Sequence, residues 1–214
     1  MDNEDFVLLI MNCYNYREKA EKQRETWLKT IPRTIKFYHV IGDIEKCIDE
    51  NKEYIFDNDN NVLYVKTKDD YNSLPSKVIN AFQAVSSTLS IKYIFKTDDD
   101  QNLVVGDFFE KLIDKLTDSC FHYGGYSVKV KNHFSNYHRI HECLPKRLFL
   151  KACLYCSGRF YLLSKDAVAN LLTKKEEICG TIIEDHAIGL HLDAVFGKEI
   201  FHIETGLYFK DMGT

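Results

Sequence analysis

Tyr93-Ile94-Phe95-Lys96-Thr97-Asp98-Asp99-Asp100 is an apolar strand that runs straight into three carboxylates. In an open α/β sheet, ligands bind beyond the carboxyl ends of the strands, so a functional site belongs at this point. Three adjacent carboxylates repel one another and call for a cation. Mg²⁺ or Mn²⁺ is the natural partner, because a hard divalent ion takes oxygen ligands and also binds a substrate's phosphates. The competing reading is a solvated acidic turn at a helix start, where carboxylates suit the helix dipole. The cluster alone does not choose between them.

Outward from this stretch, short apolar runs at 6–11, 35–41, 62–65 and 93–96 read as strands. Between the last two, Val78, Phe82, Val85 and Leu89 form one helical stripe. Phe108, Phe109, Leu112, Ile113 and Leu116 form a second, and Ile188, Leu192 and Val195 a third; all three are read as core. Alternating strands and helices predict an α/β domain, and 214 residues suit a single one. Residues 57–61, Asp-Asn-Asp-Asn-Asn, are a polar turn without the central glycine of a calcium loop.

With 45% hydrophobic and 28% charged residues the chain lies outside the disordered regime. A net charge of −4 gives no global attraction to nucleic acid or to an anionic membrane. The acidic first five residues and the strand-sized run after them predict neither a secretory signal nor a membrane span. Seven cysteines without regular spacing suit reduced thiols in a cytosol-like compartment. The last residues close no element, so the expectation is one domain, either trimmed or the first module of a longer protein. One local departure in charge is residues 129–151, where Lys129, Lys131, Arg139, Lys146, Arg147 and Lys151 face only Glu142, with Phe134, Tyr137 and Phe149 interleaved.

Several segments then fall in one order. Arg24-Glu25-Thr26-Trp27 follows the first strand, a second strand ends at Gly42, and Asp69-Asp70-Tyr71-Asn72-Ser73-Leu74-Pro75-Ser76-Lys77 precedes the long helix. After the triple aspartate come Tyr155-Cys156-Ser157-Gly158-Arg159-Phe160-Tyr161-Leu162-Leu163-Ser164 and Glu184-Asp185-His186-Ala187-Ile188-Gly189. Together they resemble the β-1,3-galactosyltransferase and Fringe family across roughly residues 6 to 203. The resemblance implies a GT-A-like fold, α/β with a mixed central sheet flanked by helices. Residues 1–100 would form the nucleotide-binding half and 101–214 the acceptor and catalytic half. It further implies an inverting, metal-dependent glycosyltransferase that takes a hexose or deoxyhexose from a UDP-sugar to a glycan or glycoprotein hydroxyl, with Mn²⁺ or Mg²⁺ as cofactor and no nucleic-acid partner.

The family's roles carry over by residue. Asp100 and Asp98 are the expected metal ligands, with Asp98 and Asp99 also toward the ribose or a metal-bound water. His202, in Glu199-Ile200-Phe201-His202-Ile203, is the expected nitrogen ligand, and its apolar run predicts a buried partner. Asp185 is the expected general base and Glu184 the alternative; a helix cap is the structural reading of the same pair. Asn12, beside Cys13, and the cations Arg24 and Lys77 are expected near the donor, while Trp27 reads as core.

His186 stands where the family has an apolar residue, and 152–154 replace its prolines. Cys153 and Cys156, with His138, His141 and Cys143 upstream, have the spacing of half a zinc site, although the family's own cysteine explains Cys156. Without an anchor or stem, the chain looks like the transferases of large DNA viruses or microbes, acting in a cytosol. Two other functions fit parts of the sequence. A nucleotidyl- or phosphotransferase would use the same carboxylates but lacks its glycine-rich loop, and a carbohydrate- or nucleic-acid-binding module would use 129–151 but leaves the aspartates unexplained.

Overall fold

A computed structural model describes residues 5–139 and 141–212. Strand β1 (Phe6–Met11) is buried throughout, and its side chains alternate between two apolar clusters. Val7, Leu9 and Met11 enter one; Phe6, Leu8 and Ile10 enter the other. Burial on both faces is what a central strand of a helix-flanked sheet requires. Helix α1 (Arg17–Glu25) is so polar that only Ala20 and Gln23 are buried. Strand β2 (Ile35–Gly42) pairs parallel with β1. Helix α2 (Ile44–Asp49), capped by Asp43, leads into the antiparallel pair β3 (Tyr54–Asp57) and β4 (Val62–Val65). Helix α3 (Leu74–Thr88) sets the first apolar stripe, Val78, Phe82 and Val85, on the first cluster. Strand β5 (Tyr93–Asp98) then returns parallel to β1.

The rest of the chain completes the same sheet. After β6 (Gln101–Leu103), α4 (Phe108–Asp118) covers the second cluster, and β7 (Tyr123–Val130) follows. A small ribbon, β8 (His133–Phe134) with β9 (Phe149–Leu150), precedes the long β10 (Cys153–Ser164), which runs antiparallel between β5 and β7. Helices α5 (Lys165–Leu172), α6 (Lys175–Cys179), α7 (Glu184–His191) and α8 (Ala194–Gly197) lead to β11 (Ile200–His202), parallel on β7. Finally α9 (Thr205–Tyr208) leads to β12 (Phe209–Asp211), which pairs with β6. The central sheet has the order β11-β7-β10-β5-β1-β2-β4-β3, with parallel and antiparallel pairs, so the mixed α/β architecture flanked by helices is found. Among the described residues no helix is long and apolar enough to cross a membrane.

Two expectations need correction. The stripe Ile188, Leu192, Val195 is not one helix: α7 stops at His191, and Asn170 and Lys174 hold the Asp193 carboxylate where the chain turns. Val195 is therefore 75% exposed rather than core. Strands β7 and β10 also went unread, because glycines and polar residues interrupt both apolar runs.

Helix α7 lies directly on β10, and Gly189 permits it. A Cβ there would sit 2.3 Å from Tyr155 Cβ and 2.6 Å from the Leu154 carbonyl oxygen. Alanine favours helix by about 1 kcal/mol over glycine. Overpacking costs about 1–3 kcal/mol, and here backbone would have to move, so the clash wins. Gly189→Ala is expected to lower Tm by several degrees, whereas Gly106→Ala, with nothing within 4 Å, should leave it unchanged in a thermal melt. Equal melting of Gly189→Ala and wild type would contradict this packing.

Candidate functional site at the end of β5

The alternation of β5 puts Lys96 and Asp98 on the same side, facing α7. The Lys96 ammonium is 1% exposed and lies 2.7 Å from Asp98 Oδ1 and 3.1 Å from Glu184 Oε2. It also donates to the Gly158 carbonyl of β10 at 2.9 Å. Burial would push this ammonium's pKa down, but Asp98 and Glu184 outweigh it and hold the charge. The Tyr161 hydroxyl donates to the other Glu184 oxygen at 2.5 Å. Both Glu184 oxygens are thus occupied in a side chain only 3% exposed. Glu184, the alternative base of the sequence reading, is held by Lys96 and Tyr161.

Asp185 differs from its neighbour. It is partly exposed, and its Oδ2 accepts from Gly158 N at 3.0 Å while Oδ1 accepts from His186 N. Burial raises its pKa, against the pull of Lys96 and these two amides. A Cβ on Gly158 would be 3.6 Å from Asp185 Oδ2, 3.7 Å from Asp98 Oδ2 and 3.4 Å from Lys96 Nζ. The missing side chain leaves a small space that one carboxylate oxygen of Asp98 and one of Asp185 both border.

Around that space the acids outnumber the cations. Burial pushes Asp98 up to about 6 despite Lys96, and Asp99 up to about 6 despite Lys19, whose ammonium is 3.6 Å away. Asp98 and Asp100 line one cavity of about 440 Å³ with Tyr126, Arg159 and Glu204. Asp99 is not among its lining residues; its amide donates to the Met11 carbonyl and its carboxylate meets Lys19. His202 is at the rim. Its ring is 2.8 Å from Glu204 Oε1 and 3.4 Å from Ser127 Oγ, and its side chain is 48% exposed. The expected buried partner is replaced by this exposed pair because β11 is the edge strand of the sheet. Among the described residues no three His, Cys, Asp or Glu side chains already converge on one point, at the aspartates or at Cys153 and Cys156. The oxygen donors nevertheless fit a hard cation: two carboxylates, Asp98 and Asp100, share one cavity, and burial raises the proton affinity of Asp98.

Three other expected contacts are structural. Asn12 accepts from Cys13 N and donates to the Tyr16 carbonyl, which closes the turn after β1. Lys77, 4% exposed, donates to the Asn12 carbonyl at 2.7 Å and to Asp69 at 2.6 Å, leaving no free charge for a diphosphate. Asp69 also accepts from Gly42 N and Tyr14 N, so it ties β1, β2 and α3 together. Arg24 is not beside the aspartates; the charges that act on it are Glu21 and Asp57. Its neighbour Gln23 is the residue that reaches the turn. The fully buried Gln23 amide donates to the Asp98 carbonyl at 3.2 Å and the Gln101 carbonyl at 2.8 Å, and its oxygen lies 3.0 Å from His39 Nε2. Trp27 is core, stacked on Phe109.

Sequence reasoning thus missed Lys96, Gln23 and Asp69. Lys96 had a signal, a lone cation inside an apolar strand, and Asp69 lay within a recognised segment; Gln23 had none.

The galactosyltransferase family profile matches residues 18–198, most of the chain. The chain belongs to this family. Among curated relatives, human UDP-GalNAc:beta-1,3-N-acetylgalactosaminyltransferase 1 is 28% identical over 144 residues, 66% of this chain and 43% of the human protein. The Xenopus tropicalis UDP-GalNAc:beta-1,3-N-acetylgalactosaminyltransferase 2 is 23% identical over 169 residues, 78% of this chain and 33% of that protein. The chain thus spans less than half the length of either relative. Among solved structures, the glycosyltransferase GlyE of Streptococcus pneumoniae aligns at a TM-score of 0.48 with 10% identity, over 96% of this chain and 46% of that one. Within the matched residues, Asp98 of the triple aspartate and Asp185 of the acidic pair are the two carboxylates that flank Gly158.

The Gln23–His39 pair gives a stability prediction. Burial, with Arg24 adding to it, pushes His39 down from 6.5 to about 3. The unfolded chain therefore takes up a proton that the folded chain refuses, and stability falls as pH falls below about 6.5. The slope is about 1.4 kcal/mol per pH unit for one proton. Denaturant unfolding from pH 7 to 4 should show the advantage of wild type over His39→Gln shrinking at about that rate; a constant difference would mean that His39 is not held neutral.

Proposed function

We propose that the chain is an inverting, metal-dependent glycosyltransferase that moves a hexose or hexose derivative from a UDP-sugar to a hydroxyl of a glycan or glycoprotein. The observation that carries this reading is the placement of Asp98 Oδ2 and Asp185 Oδ2 about the space above Gly158. Asp98 and Asp100 line a cavity of about 440 Å³, and Asp185, which is not among its lining residues, turns an oxygen toward neighbouring Gly158 without a cation on it. The relatives named above carry UDP-GalNAc and a β-1,3 linkage in their names, which supports a uridine-linked donor.

In the proposed reaction the acceptor hydroxyl approaches the anomeric carbon from the Asp185 side. Its oxygen forms the new glycosidic bond as the bond to the diphosphate breaks. The proton passes to Asp185 Oδ2 and the electron pair leaves on the diphosphate. A raised pKa makes Asp185 a better proton acceptor than an exposed carboxylate. Lys96 and Glu184 hold α7 and β10 at a fixed separation, so that Asp185 is positioned rather than mobile. Asp98 and Asp100, with His202 from the rim, are the residues that would hold Mn²⁺ or Mg²⁺; when bound, the ion supplies Lewis-acid neutralisation of the departing charge.

Three measurements test the reading. Calorimetric titration of UDP-sugars with and without Mn²⁺ should show metal-dependent binding that Asp100→Asn removes and His202→Ala weakens, with little change in Tm for either. Metal-independent donor binding would sink the metal assignment. Asp185→Asn should keep donor binding and lose about 10²–10⁴-fold in transfer, with an inverted linkage in the wild-type product by NMR. Retained configuration would end the single-displacement mechanism. Gly158→Ala makes only ordinary contacts and should fold normally, but the methyl fills the reaction space and should abolish transfer.

A further inference from the structure

The segment 129–151 is unused by this chemistry, yet it is built onto the site. Leu144 and Leu150 are buried with Ile183, the residue before the Glu184–Asp185 pair, in a small apolar cluster of their own. The His186 ring meets the Lys151 carbonyl at 2.8 Å, and Asn72 donates to the Cys143 carbonyl. The His141 ring stacks on Tyr71 at 4.5 Å, and Tyr71 lies within the field of Asp185 and Asp98, which with its own burial pushes its hydroxyl up to about 12. Both rings remain exposed. Lys129, Lys131, Arg139, Lys146, Arg147 and Lys151 are all exposed, and among the described residues none has an ion pair within the chain. The segment therefore carries a net +5 in a chain of net −4.

We propose that this surface receives the acceptor and that the acceptor is an acidic glycan, a chain of sugars bearing carboxylate or sulfate groups; the proposal rests on the glycosyltransferase reading. The stacked Tyr71 and His141 offer a flat face to a sugar ring, and His141 belongs to the segment packed on Ile183 beside the Glu184–Asp185 pair. The unpaired cations offer charge-assisted hydrogen bonds to acidic groups farther along the chain. Neutral glycans gain nothing from six free cations.

The test is binding, measured on the intact chain by calorimetry at low salt without donor or metal. The probes are trigalacturonate, its fully methyl-esterified neutral counterpart and a heparin-derived tetrasaccharide. The acids should bind at least about tenfold more tightly than the ester and lose that advantage at high salt. Lys146→Gln/Arg147→Gln and Lys129→Gln/Lys131→Gln should each weaken acid binding severalfold and leave the ester unchanged. Tyr71→Ala should weaken both acid and ester, because it removes the ring platform rather than charge. Equal binding of acids and ester, or no binding of either, overturns the proposal; so does tighter, variant-sensitive binding of phosphatidylserine vesicles or single-stranded RNA. Because no donor is present, a chain that binds acids but transfers no sugar would fail only the proposed function. One that transfers to neutral acceptors and ignores acids would fail only this inference.

Discussion

The Lys96 ammonium is the constraint on which the site depends. A buried charge is tolerated only when paired and hydrogen-bonded, and Lys96 draws its partners from three elements: Asp98 of β5, the Gly158 carbonyl of β10 and Glu184 at the start of α7. Removing any partner would leave charge uncompensated, so the separation of these elements is fixed by electrostatics as well as by packing. Gly189 lets α7 approach β10 closely enough for the contact to form. The same network divides the labour of the acidic pair. Glu184 is consumed by Lys96 and Tyr161, and Asp185, one residue on, is directed to the open space.

Lys96 does not neutralise its surroundings. Burial raises the proton affinities of Asp98, Glu184 and Asp185 against the pull of Lys96, and that of Asp99 against the pull of Lys19. Such a site repels a free diphosphate. On the proposed function, a divalent cation arriving with the diphosphate would supply the positive charge that the triple aspartate calls for. The acid floor and the basic segment 129–151 thus have opposite signs, and the two substrates of a transferase would experience different fields in one cleft.

What the sequence disclosed follows the range of each interaction. The strands at 6–11 and 62–65 and the helix over Val78 to Val85 were legible, because two-sided burial writes itself as apolar runs and stripes. The triple aspartate and the acidic pair were legible as composition in a characteristic order. The partners of Lys96, 62 and 88 residues away at Gly158 and Glu184, were not, because no local period encodes a long-range ion pair. Nor could the sequence show that Lys77 is enclosed by Asp69 and Asn12, or that Arg24 turns away while Gln23 turns in. Adjacent helical residues point about 100° apart, so a motif that names the helix leaves the facing residue undetermined.

The way the aspartate turn is held from behind completes the argument. Its main chain is secured by the amide of Gln23, itself held by His39, and both side chains are fully buried. A cation there would also satisfy the Asp98 and Gln101 carbonyls. It would, however, add positive charge beneath the carboxylates of the turn. Neutral holders fix the geometry without altering that charge. Lys96, by contrast, meets carboxylates directly, where only a cation can join Asp98 to Glu184. The site therefore separates two tasks, using amide and imidazole to shape the turn and a single ammonium to connect it to α7.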